Sequence, residues 1–413
     1  MRASSGVEDV LFAPGLGGFF YDDQEAVGRG AASNAFLYTG TPVTPGFSAV
    51  RMPAQSLGIG LRLSDRSLIW GDMMSVQYAG VGGREAPFDA RAAEAFCREH
   101  LVSRLHDLAC DGFRASCEYV LAPVAGGPIP CAIQYGVSQL LLRRAAHRRG
   151  CTMAEIICQE YRLPVLPRAV PIYAQSGDAR EVNVEKMILK TVDILPHGLI
   201  NSRRKFGPKG KDLRAFVHHV ARCVQSLGAP GYRPLLHFDV YGMIGAEIGS
   251  QPDAVADFIA SLAADIAPLR LQIESPVDYG DRSAQIEGYA AIVAGLKHRR
   301  CLARIVVDEH CNSLDDIRAF AAAKMGAGLI VQIKMPDVGN IADSIEAVLT
   351  CKSNGVGAYI GGSCTETDLS AVASVHVAVA TQADLMLAKP GMGVDEALTI
   401  VGNEQSRLLA ALA

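Results

Sequence analysis

The chain has no CxxC pair, no apolar run approaching the ~18 residues of a membrane span, and no surplus of charge of either sign. Its 39 basic and 43 acidic residues leave a net charge of −4, which offers no electrostatic footprint for nucleic acid or an anionic membrane. Any anionic ligand must therefore be met locally. The 11 cysteines are odd in number and unclustered, so neither a disulfide framework nor a zinc module is indicated, and a reducing cytoplasm is the expected compartment. Residues 1–20 include Glu8 and Asp9 and lack the basic start and apolar core of a signal peptide. A soluble intracellular protein is expected, with no nucleic-acid or membrane partner.

What is present is the usage of an ordinary globular protein: 49% apolar and 20% charged residues, with 41 glycines and 20 prolines in 413 positions. Residues 1–160 read as an α+β unit. Ser56 to Leu68 alternates as a hairpin around Asp65, Ile69 to Tyr78 supplies a further strand, and Ala93 to Leu108 and Ala132 to His147 carry helical periodicity. In residues 161–413 the pattern changes. Eight short apolar runs, AVPIYAQ, VDILPH, LLHFDV, LRLQIE, ARIVVDE, GLIVQIK, GAYIGGS and ADLMLAK, alternate with amphipathic helices. Ala169 to the last residue spans 245 positions, close to the ~250 of an eight-stranded barrel, so the expected fold class is α/β with a TIM-type (β/α) barrel.

Polar residues fall at or near the C-terminal ends of these runs: Gln175, His197, Asp239, Glu274, Asp308, Gln332 with Lys334, and Ser363. Barrel strands share one rim at those ends, where such enzymes keep their chemistry. Separations of 35, 34 and 26 residues along Asp239, Glu274, Asp308 and Lys334 each fit one strand, loop and helix. A lone acid after a strand commonly caps the next helix. Three in succession repel one another unless a proton or cation intervenes, and oxygen-only ligands favour a hard ion such as Mg²⁺. Lys334 ends a run so apolar that its charge either snorkels outward or points into the site. A nearby divalent cation would lower its pKa from about 10.4 and free a neutral amine as base. His197 reads equally well as a loop histidine or a catalytic partner. Gln175 and Gln332 are suited to binding a carboxylate, or are ordinary packing. A base set against carboxylate-bound Mg²⁺ points to proton abstraction beside a carboxylate, with expulsion of a β leaving group.

The segments PGLGGFFYDDQ, YTGTPVTPGF, VQYAGVGGR, AQSGDAREVNVEKMILKTVDILPHGLIN, HFDVYGMIG, IESPVD, VDEHCN, VQIKMPDVGNI, GGSCTET and KPGMGVDEAL resemble the methylaspartate ammonia-lyase family of the enolase superfamily along nearly the whole chain. The resemblance implies an enolase-like homodimer, each chain with an N-terminal α+β capping domain over the barrel, converting the amino acid (2S,3S)-3-methylaspartate to mesaconate and ammonia. It implies Asp239, Glu274 and Asp308 as Mg²⁺ ligands, with a monovalent cation such as K⁺ as a second ion, and Lys334 as the base at C3. His197 matches the histidine that binds the metal-side carboxylate and serves as base for the other C3 configuration, with Gln332 at the same carboxylate. Gln175, Ser363 and Cys364 match the clamp on the α-carboxylate, Gln77 lies toward the leaving amine, and Tyr173, Tyr359 and Leu387 match the pocket wall.

Three positions depart from the family pattern: Ser363 for a usual threonine, His310 for tryptophan and Tyr173 for phenylalanine. The alternative is another enolase-superfamily lyase or dehydratase acting on a related dicarboxylate or amino acid. VDILPHG, however, lacks the KxK pair of cycloisomerase-like branches, and GAYIGGSC lacks the histidine of racemase-like ones. A cysteine hydrolase built on Cys364 is disfavoured, since no local sequence supplies an ordered histidine and acid.

Overall fold

The computed structural model describes residues 6–34 and 36–413. Strands β1 (Val7–Asp22), β4 (Arg51–Leu63) and β5 (Leu68–Met73) form an antiparallel sheet, while β2 (Ala32–Asn34) and β3 (Leu37–Thr39) form a separate short ribbon. The hairpin expected around Asp65 joins β4 to β5: Leu61 pairs with Ile69, and Asp65 Oδ1 accepts from Ser67 N at 2.9 Å. Sequence periodicity missed β1, which passes through a Gly-Leu-Gly-Gly stretch that breaks the alternation of a strand signature. The single helix expected over Ala93 to Leu108 is two, Ala90–His100 and Val102–His106, interrupted at Leu101.

Helix Cys131–Arg149 is buried on nearly every side from Ala132 to Ala146. A helix without a polar face must be covered all round, and this one lies between the sheet and the barrel. On the sheet side a side chain at Gly136 would place its first carbon 2.8 Å from Met73 N and 2.9 Å from the Asp72 carbonyl carbon. On the barrel side Ser138 Oγ accepts from Ile341 N (3.0 Å), and Arg143 Nη2 donates to Leu369 O (2.7 Å).

All eight apolar runs become strands of one closed parallel barrel: β6 (Ile172–Tyr173), β7 (Ile194–His197), β8 (Leu235–Asp239), β9 (Arg270–Glu274), β10 (Arg304–Val307), β11 (Leu329–Ile333), β12 (Gly357–Ile360) and β13 (Leu385–Leu387). Neighbouring strands pair in sequence order, and β13 closes onto β6. Its interior is a packed cluster of Tyr173, Ile194, Val306, Ile330, Tyr359, Leu385 and Leu387. Ser313 and Asp316 bond reciprocally in a capping box before helix Leu314–Ala322. Among the described residues no helix is long and apolar enough to cross a membrane.

Gly136→Ala should force the helix away from β5 and lower stability by about 2 kcal/mol. Denaturant unfolding measures this, and an unchanged midpoint would mean that the contact yields freely.

Candidate active site

Parallel pairing aligns the strand ends, so residues far apart in sequence meet at one rim. Asp239 and Glu274 end β8 and β9 in register with each other, Asp308 follows β10, and Lys334 follows β11. A single cavity is lined by Asp239, Glu274, Asp308, Lys334, His197, Gln175, Gln332, Tyr359, Ser363, Cys364 and Gln77, the last from the loop after β5. Tyr173 and Leu387 do not line it. They lie in the interior cluster beneath, where the Tyr173 ring stacks on His237 at 4.2 Å. His310 borders a neighbouring cavity instead, 3.3 Å from Asp278.

Each carboxylate is turned toward a protein donor. Asp308 Oδ2 accepts from Lys334 Nζ at 2.8 Å, while Asp308 Oδ1 is buried without a hydrogen bond. Glu274 accepts from His237 Nε2 at 2.8 Å and from the Gln332 amide. His237 is itself held from below: the Gln272 amide, oriented with its oxygen toward Arg304, donates to His237 Nδ1 at 3.2 Å. Asp239 lies 3.4 Å from His197 Nε2. The other ring nitrogen of His197 accepts from Leu199 N at 3.2 Å, so a neutral His197 carries its proton on Nε2 and presents a donor to the cavity.

Burial raises Glu274 well above the usual carboxylate range, and the charges of Asp239 and Asp308 add to the effect. Burial alone would also raise Asp308, but Lys334 and then Arg84 outweigh it and hold the carboxyl below its ordinary value. For Lys334 burial favours the neutral amine, yet Asp308 prevails and the pKa lies above that of an ordinary lysine. The lowered value expected from the sequence belongs to a site with a divalent cation beside Lys334. A neutral Lys334 requires the charge of Asp308 to be engaged elsewhere.

Residues 6–162 match the family described as methylaspartate ammonia-lyase N-terminus, and residues 164–413 match methylaspartate ammonia-lyase C-terminus. The chain is 45% identical to methylaspartate ammonia-lyase 1 of Carboxydothermus hydrogenoformans, over 98% of this chain and 97% of that one. The chain belongs to the methylaspartate ammonia-lyase family. Its structure superposes with a TM-score of 0.95 on the Citrobacter amalonaticus enzyme containing (2S,3S)-3-methylaspartic acid, at 42% identity and covering 98% of this chain and 99% of that one. Against the Mg complex of β-methylaspartase from Clostridium tetanomorphum the TM-score is 0.93, at 41% identity and 98% coverage of both chains. Muconate lactonizing enzyme from Pseudomonas fluorescens, 15% identical with a TM-score of 0.61, covers 91% of this chain and 85% of its own and shares the fold alone.

The side chains fit a hard cation by donor type. Asp239, Glu274 and Asp308 are buried oxygen donors around one cavity, and Asp308 Oδ1 has no hydrogen-bond partner. Among the described residues no three potential ligands already converge at coordinating distance; Lys334 engages Asp308, and Gln332 and His237 engage Glu274.

Sequence reasoning did not single out Tyr78, Arg84, Tyr241, Glu309 and Met392, which also line the cavity. Arg84 is the consequential omission. It is almost wholly buried, with Nε 2.9 Å from Asp337 and Nη2 3.3 Å from Glu309 and 3.7 Å from Asp308. An arginine directly after a glycine pair in VGGR, on another unit of the chain, gives no periodic signal of its destination.

The Gly361–Cys364 loop is set by a buried ion pair. Lys389 Nζ donates to Glu366 Oε1 (2.8 Å) and Gly361 O (2.7 Å), while Glu366 also accepts from Ser363 N (3.1 Å) and from Tyr135 Oη (2.7 Å) of the buried helix. Gly362, at φ 142°, has no room for a side chain, whose first carbon would fall 2.0 Å from Glu366. Lys389→Met would leave Glu366 buried without a counter-charge. The expected cost is about 3–5 kcal/mol in thermal or denaturant unfolding, and a loss below ~1 kcal/mol would show the pair to be dispensable.

Proposed function

We propose that this site abstracts the C3 proton of (2S,3S)-3-methylaspartate and expels its amine, giving mesaconate and ammonia. The observation that carries the reading is Lys334 at 2.8 Å from Asp308, in a buried cavity shared with Asp239 and Glu274. Membership of the methylaspartate ammonia-lyase family supports the substrate, and the relative holding (2S,3S)-3-methylaspartic acid supports its configuration.

Asp239, Glu274 and Asp308 would hold Mg²⁺, which supplies positive charge to offset the enolate developing beside a substrate carboxylate. The Clostridium tetanomorphum Mg complex supports that choice of ion. Lys334, as the neutral amine, takes the C3 proton. The C–H electrons build the C2–C3 double bond, the C2–N bond breaks, and its electron pair leaves with the nitrogen as ammonia. His197 Nε2–H and the Gln332 amide, both in the cavity lining, would donate to the carboxylate next to C3. Gln175, donating through its amide N–H, joins Ser363 and Cys364 in binding the other carboxylate. Tyr359 forms the wall, backed from within the barrel by Tyr173 and Leu387. The family likeness extends the reading to a cytoplasmic homodimer that uses a monovalent cation such as K⁺ beside Mg²⁺.

Supplying 3-methylaspartate and Mg²⁺ should produce the ultraviolet absorbance of an unsaturated diacid, and a chelator should abolish it until Mg²⁺ is restored. Activity indifferent to chelation would remove the metal from the reading. Lys334→Ala should lower turnover of the (2S,3S) isomer by about 10²–10⁴-fold, the usual worth of a general base, in a chain that still binds the metal. Turnover within a few-fold of the parent would exclude Lys334 as the base.

A further inference from the structure

Gln77 has an amide whose two ends meet different chemistry. Its nitrogen donates to Asp22 Oδ2 at 2.7 Å, while its oxygen faces the cavity, where the Cys364 thiol donates to it at 3.2 Å. Asp22 is outside the cavity lining and almost fully buried. Arg51 grips it from behind, Nε to Oδ1 at 2.6 Å and Nη2 to Oδ2 at 2.7 Å. Arg51 is in turn fixed by donation to Phe36 O (2.7 Å) and by the rings of Phe36 and Tyr38, whose centroids lie 4.3 and 4.6 Å from its guanidinium. The main chain repeats the tie, with Asp22 N donating to Gln77 O at 3.1 Å and Gln77 N to Ser363 Oγ at 2.9 Å.

A carboxylate paired with arginine only accepts hydrogen bonds, so the Gln77 amide cannot turn over without setting oxygen against oxygen in a buried place. The wall therefore presents a fixed acceptor. Methylaspartate has two carboxylates, which only accept, and one ammonium, which only donates. An acceptor that cannot invert matches the ammonium alone. Resting on the reaction assigned above, we propose that Asp22 is a positioning residue that locks the Gln77 carbonyl oxygen toward the substrate nitrogen and so selects its protonated form. From that form the nitrogen departs as ammonia without a further proton. The carboxylate also polarises the amide through its N–H and strengthens the oxygen as an acceptor.

Asp22→Asn reverses the lock. Arg51 Nε takes the asparagine oxygen, the asparagine nitrogen faces Gln77, and the Gln77 amide turns its own nitrogen toward the ammonium. In the amination direction, with mesaconate and ammonia as substrates, KM for ammonia should rise at least tenfold while KM for mesaconate changes less than twofold. Adding Gln77→Glu to Asp22→Asn should restore the ammonia KM, since the asparagine donates to one carboxylate oxygen and the other faces the nitrogen. Because Asp22→Asn leaves Arg51 less well paired, the double variant Asp22→Leu with Arg51→Met removes both charges together, an exchange that buried pairs commonly tolerate. Once its melting transition shows it folded, its ammonia KM should rise severalfold. An unchanged ammonia KM in either folded variant, or equal rises for both substrates, overturns the role of Asp22. Parent protein that makes no 3-methylaspartate from mesaconate and ammonia overturns the reaction assignment instead.

Discussion

Carboxylates crowded into the mouth of one barrel repel each other, and much of the surrounding structure serves to keep them there. Asp239, Glu274, Asp308, Glu309 and Asp337 are all buried or nearly so, with Lys334 and Arg84 as the cations in contact with them. Burial first, and its acidic neighbours second, raise Glu274 well above its ordinary range, a sign that positive charge is short there. A divalent cation would answer that shortfall, and the arrangement is suited to chemistry that generates negative charge on a substrate. The donors holding the carboxylates, His237 beneath Glu274 and Lys334 beside Asp308, fix where that charge sits.

The barrel alone does not complete the site. Gln77, Tyr78 and Arg84 come from the loop after β5, so the antiparallel unit supplies part of the wall and one of the two cations. Its placement rests on the buried helix Cys131–Arg149, which offers Gly136 to the sheet and Tyr135, Ser138 and Arg143 to the barrel. Glu366 is the joint between the two. It accepts from Tyr135 on one side and Lys389 and Ser363 on the other, so the loop carrying Ser363 and Cys364 depends on both units.

All eight barrel strands were legible because each is a short apolar run punctuated by a polar residue at its C-terminal end, and parallel pairing needs nothing more local. The same rule found Asp239, Glu274, Asp308 and Lys334. It did not find Glu309, which follows Asp308 and reads as an ordinary loop acid, nor β1, whose glycines erase alternation. His237 and Gln272 also escaped, since polar residues inside an apolar strand look like noise until the barrel closes around them.

By itself the sequence determined the barrel, the order of its strands and the acids and lysine at their ends, because period and punctuation are properties of neighbouring residues. It also carried the segments through which the family resemblance is recognised. Tertiary structure alone decided that Arg84 meets Asp337 and Glu309, that Tyr173 and Leu387 sit beneath the cavity, that Lys334 pairs with Asp308, and that Asp22 governs the Gln77 amide. Those outcomes depend on burial and on partners up to hundreds of positions away. A charge or amide takes its direction from whatever folding places beside it, and that is not written in its neighbours along the chain.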